Sequence, residues 1–134
     1  MALIAMTGCE TLENTDTRST LSPQATRRAA QVVSEGAPGR FAGNGHGRSM
    51  VPIYAEGTVV VIQSTDYNKL EKGMVVAYQD KFGAVVVHQL LEKQGSAWIA
   101  KGFGNDMIDR EPVTRKNLLG VVYATFTPNQ APAK

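Results

Sequence analysis

The sequence is short of cysteine, of histidine and of any excess of charge. Cys9 is its single cysteine in 134 residues, so no disulfide can close within the chain. Two histidines and one cysteine, far apart, give no metal-ligand spacing; structural zinc is excluded on that ground and no cofactor is expected. Fourteen Lys and Arg stand against 12 Asp and Glu, a formal charge of +2. Such a small excess, without a dominant basic stripe, excludes nucleic acid as the expected partner. No apolar run approaches the roughly 20 residues of a membrane-spanning helix. The sequence assigns no oligomeric state.

What remains is ordinary for one globular domain: 43% apolar and 19% charged residues. The pattern divides the chain into four parts. Residues 1–9 begin almost wholly apolar and end in Met6-Thr7-Gly8-Cys9. An apolar run, two small residues and a cysteine resemble a bacterial lipoprotein signal, in which the cysteine becomes the acylated first residue. The other reading is a frayed apolar end. Residues 10–42 are expected to be a tether with one short helix. Glu10 to Leu21 has no apolar period. Ser22-Pro23 then supplies an N-cap and a first-turn proline. Ala25, Ala29, Val32 and Val33 share a helical face, and Gly36 follows as a stop, so a helix is predicted from Pro23 to about Glu35. Residues 128–134 are expected to be a disordered tail.

Residues 43–127 are expected to form the main domain. Ala37 to Gly47 is rich in Gly, Pro and Ala and reads as a loop, with His46 as a solvated member. Beyond it the signal turns to strands: Thr58–Ile62, Met74–Tyr78, Phe82–His88, Ala97–Ala100 and Leu118–Phe126, separated by turn residues. Short strands at this spacing predict a mainly β fold, a compact sheet or partly open barrel, with the one helix N-terminal to it.

The chemistry begins at Ser49. A serine hydroxyl is a weak nucleophile until a base takes its proton. His88 ends the apolar run Val85-Val86-Val87, and a base on a rigid strand suits general-base catalysis. Around these two residues the chain resembles the signal peptidase I and LexA-like serine peptidase family. Ser49-Met50-x-Pro52 matches the family's Ser-Met-x-Pro box. Glu56-Gly57 with the strand after it, Leu70-x-x-Gly73-Met74-Val75-Val76-Ala77-Tyr78, Val86-Val87-His88-Gln89-Leu90, Lys101-Gly102-x-x-Asn105 with Asp109, and Gly120-Val121-Val122 follow in the family's order. The resemblance covers the stretch from about Gly43 to Phe126, some two-thirds of the chain.

Histidine rather than lysine at position 88 is similar to the endoplasmic-reticulum and archaeal branch, which uses serine, histidine and aspartate. The resemblance places Asp109 on the family's aspartate, with Asp106 as a nearby rival, and makes Lys101 structural. It implies a LexA/signal-peptidase-like sheet and a serine endopeptidase. Its substrate would be an extended peptide or precursor protein that is secreted or membrane-inserted. With a lipid anchor at Cys9, the enzyme would sit at the membrane surface of a bacterial envelope, facing the periplasm or the outside; without the anchor it would be soluble. The sequence also departs from the family. Phe103 stands where aspartate follows Lys-Gly, Gly47 stands where a hydroxyl helps bind the oxyanion, and Arg48 replaces a glycine. Gly47 and Phe103 favour the alternative, a catalytically inactive, lipid-anchored binding module of the same fold. A self-cleaving regulator is disfavoured, because the chain carries neither a DNA-binding domain nor the catalytic lysine.

Overall fold

The structure, a computed structural model, describes residues 21–44 and 57–128. Its elements in chain order are α1 (Pro23–Glu35), β1 (Arg40–Asn44), β2 (Val59–Gln63), β3 (Val75–Gln79), β4 (Val85–Gln94), β5 (Ala97–Lys101) and β6 (Leu118–Phe126), with a short 3-10 turn at Tyr67–Lys69. The six strands make one open antiparallel sheet in the order β1-β2-β6-β3-β4-β5. The mainly β expectation with one short helix is thus met.

Helix α1 starts as its sequence dictates. The Ser22 side chain accepts the Ala25 N–H at 3.1 Å, and Pro23 occupies the first turn. Its buried stripe is not the expected one. Thr26 and Ala30 are fully buried and Val33 packs beside them, whereas Val32 is 65% exposed. Thr26, Ala30 and Val33 also lie at i, i+4 and i+7; the polar hydroxyl of Thr26 hid that face. The stripe sits on Val59 and Val61 of β2 and on Ala124 and Phe126 of β6.

The folded unit therefore reaches further toward the N-terminus than the expected start at 43. Arg40–Asn44, read as loop, is an edge strand paired with β2 from Arg40↔Gln63 to Asn44↔Val59. Its small residues carry little strand signal; the partner strand supplies the ladder. Arg40 ties three elements together. Its guanidinium donates to the Gln63 side chain at 2.8 Å and to the Val33 carbonyl at the end of α1 at 3.0 Å, and stacks over the Tyr123 ring of β6 at 3.9 Å.

The strand predicted from Phe82 begins later, at Val85, and runs on to Gln94. Asp80 claims the residues between for a turn. Its side chain accepts the N–H groups of Phe82 and Ala84, both at 2.9 Å, and Gly83 takes φ +86°, where a side chain would be strained.

Cross-strand pairs share a face of the sheet. The row Gln63–Val121–Val76–His88 therefore projects to one side, the side of Val59, Val61 and α1. On that side Tyr67, Leu70, Val76, Tyr78, Leu90, Trp98, Ala100 and Val113 form the main core. Val60, Ile62 and Ala77 pack on the opposite side with Val87, Leu119 and Val122. β6 serves both partners only by slipping register: an irregularity falls at Val61/Ile62 against β2 and another at Ala77/Tyr78 against β3. No helix among the described residues is long and apolar enough to cross a membrane.

Candidate active site

The strand β4 alternates, so His88 points inward with Val86 and Leu90 rather than to solvent. It is 7% exposed. A buried imidazole needs hydrogen-bond partners. Its Nδ1 lies 2.6 Å from Asp109 Oδ2, and both side chains are about nine-tenths buried. Since a carboxylate only accepts, Nδ1 carries the proton and donates. The Nε2 atom is then the basic nitrogen of the neutral ring.

Asp109 comes from the long connection between β5 and β6. That connection turns back along the outer edge of β5. Trp98 and Val113 exchange backbone hydrogen bonds at 2.9 and 2.8 Å, and the Asp109 N–H donates to the Ala100 carbonyl at 2.8 Å. Ala100 is fully buried opposite Leu90. The aspartate backbone is thereby pinned to the strand next to the one that carries His88. The rival Asp106 is exposed in the preceding turn. Lys101 pairs with Gln89 across β4 and β5.

A third side chain completes the group, one that the sequence reading did not select. The Tyr78 hydroxyl donates to the same Asp109 Oδ2 at 2.7 Å. Tyr78 on β3 and His88 on β4 are diagonal neighbours on one face, because Val76 pairs with His88 and Tyr78 with Val86. Strand parity puts residues 76 and 78 on one face, but only the pairing register, which the sequence does not carry, brings that face to His88. Burial pushes the Tyr78 hydroxyl well above the ordinary tyrosine value. The hydrogen bond to Asp109 and the negative charges of Asp109, Glu111 and Asp80 push it the same way. Tyr78 is therefore a donor throughout the neutral range. Asp109 Oδ2 accepts two charge-assisted bonds in a setting sheltered from water.

Ser49, expected as nucleophile, lies outside the described residues, as do Gly47, Arg48, His46 and Cys9. Of the expected triad, the structure brings His88 and Asp109 together. Phe103, at the departure from the family pattern, is 39% exposed. Among the described residues no group of three or more His, Cys, Asp or Glu gathers to hold a metal ion. The arrangement is chemically an oriented base: a buried carboxylate fixes the tautomer of an imidazole and can stabilise its protonated form.

No protein-family model matches this sequence, and a search of curated proteins finds no match either.

Proposed function

We propose that the chain is a serine endopeptidase of the signal peptidase I type, with Ser49 as nucleophile, His88 as base and Asp109 as its orienting carboxylate. One observation carries the reading: the buried 2.6 Å contact of His88 Nδ1 with Asp109 Oδ2. A solvated strand histidine has no need of such a partner. In this reading His88 Nε2 takes the Ser49 hydroxyl proton as the oxygen bonds to the scissile carbonyl carbon. The imidazolium then passes that proton to the departing amine as the peptide C–N bond breaks. Water, deprotonated by the same nitrogen, releases the acyl group and restores the serine. The backbone N–H of Ser49 would donate to the oxyanion, and Asp109 would offset the charge on the ring in both steps. The substrate class is an extended peptide in a secreted or membrane-inserted precursor.

The Met6-Thr7-Gly8-Cys9 pattern supports a lipid anchor that would hold this site at a bacterial envelope membrane. Membrane partition of the wild type that is lost in Cys9→Ser tests the anchor. Labelling by a serine-directed phosphonate, together with cleavage of a precursor peptide, tests the catalytic reading. Both should disappear in Ser49→Ala, and cleavage should collapse in His88→Ala. Precursor binding without labelling or cleavage would replace the peptidase with the inactive binding module that Gly47 and Phe103 favour.

A further inference from the structure

The second feature lies at the far end of β4 from His88, on the β4–β5 hairpin. A cavity of about 360 Å³ opens there, lined by Tyr67, Lys93, Ser96, Thr114, Arg115 and Lys116. It shares no residue with the His88–Asp109 pair. Three of its lining residues are cationic and none is acidic. The fold assembles them from three places. Lys93 stands opposite Trp98 near the end of the hairpin, Ser96 is at the hairpin turn, and Thr114 to Lys116 follow Val113, which bridges Trp98.

Tyr67 is the floor that gathers the charges. It is buried, and its hydroxyl donates to the carbonyls of Ser96 and Val113, which fixes the ring between the two segments. The Arg115 guanidinium stands 4.9 Å from the ring centroid and the Lys93 ammonium 5.9 Å from it, so two cations share one aromatic ring. A neutral group holds the guanidinium in place: its Nη2 donates to Asn68 Oδ1 at 2.8 Å. Among the described residues no carboxylate lies within ion-pair distance of Lys93, Arg115 or Lys116. An anion bound among these cations would offset their mutual repulsion.

We propose that this cavity is a binding site for a phosphate-class anion, either a free phosphate or phosphomonoester, or the phosphate of a lipid headgroup. The guanidinium offers a planar fork for two phosphate oxygens, while the lysines act as point charges on the others. Three cations match an anion of several oxygens and more than one negative charge better than a single carboxylate. The sequence shows Arg115 and Lys116 as neighbours, but only the hairpin brings Lys93 to them.

The test uses the full chain and does not depend on peptidase activity. Inorganic phosphate is titrated against the ¹⁵N-labelled protein, with sodium chloride of equal ionic strength as control. Co-sedimentation is measured with phosphatidylcholine vesicles with and without phosphatidylglycerol. Both are repeated with Lys93→Gln/Lys116→Gln, whose exposed side chains leave the core intact; overlay of its remaining amide signals with the wild type verifies the fold. Saturable shifts at Lys93, Ser96, Arg115 and Lys116, weakened about tenfold or more in the variant, establish the free-phosphate form. Phosphatidylglycerol-dependent sedimentation that the variant loses, without saturable phosphate shifts, establishes the headgroup form. The proposal is overturned by the absence of both, by shifts that chloride reproduces, or by binding equal in the variant.

Discussion

The Tyr78 hydroxyl donates at 2.7 Å to Asp109 Oδ2, the oxygen that also faces His88 Nδ1 at 2.6 Å. One carboxylate oxygen thus joins β3, β4 and the β5–β6 connection. The hydroxyl titrates above its ordinary value because the fold buries it and surrounds it with negative charge. An unfolded tyrosine ionises near pH 10. The folded protein keeps that proton longer, so the stability from this group is full below about pH 10 and falls as pH rises beyond it, by about 1.4 kcal/mol per pH unit per proton. Tyr78→Phe should cost about 2 kcal/mol at pH 7, as a hydrogen bond to a charged group is lost. Above pH 10 its stability should decline less steeply than that of the wild type. Some alkaline slope should persist, since burial also raises Tyr67. Urea melts from pH 7 to 11.5 check this; parallel curves for the two proteins would show that Tyr78 does not titrate as described.

Asp109→Asn keeps the size of the side chain but lets its amide present a donor to His88. The imidazole would then lose the acceptor that fixes Nδ1–H. Peptide cleavage is expected to fall on the order of 10⁴-fold while the folded spectrum is retained. An unchanged rate would remove Asp109 from the mechanism.

Gly120 offers a sharp packing test. A Cβ there would stand 2.3 Å from the Gln63 carbonyl oxygen and 2.8 Å from its carbonyl carbon, both backbone atoms of β2. Gly120→Ala must push β6 from β2, at or above the roughly 1–3 kcal/mol typical of overpacking. Gly43→Ala on β1 is the control, because among the described residues nothing lies within 4 Å of its Cβ position. The alanine at 43 should leave the urea midpoint nearly unchanged, while the one at 120 lowers it steeply or prevents folding.

Thr26 is fully buried, and its hydroxyl finds no hydrogen-bond partner among the described residues. Burying such a group costs free energy that an apolar isostere avoids. Thr26→Val keeps the branched shape and about the same helix propensity. It is expected to stabilise the protein by about 1 kcal/mol, read from the urea midpoint. A loss of stability would mean that the hydroxyl is satisfied in solution.

Elements whose signal is local were legible before any fold was known. Ser22-Pro23 places the start of α1 because capping involves only neighbouring backbone groups. The β-branched runs at 59–62, 75–76 and 85–87 fall within β2, β3 and β4 for the same kind of reason: pleated backbone suits those side chains. The run Val85-Val86-Val87 marked His88 as a strand histidine, and the family resemblance chose Asp109, the aspartate that His88 meets in the structure, over Asp106. The tertiary structure decided everything that depends on a partner distant in sequence. Arg40–Asn44 became a strand because β2 offers it a ladder, and α1 turned its Thr26 face inward because Val59 and Val61 lie beneath it. No local pattern encodes the order β1-β2-β6-β3-β4-β5, in which β6 sits between β2 and β3. The meeting of Tyr78 and His88 on Asp109 is likewise a product of pairing register. A one-residue slip between β3 and β4 would turn one of them to the other face and leave the carboxylate with a single donor.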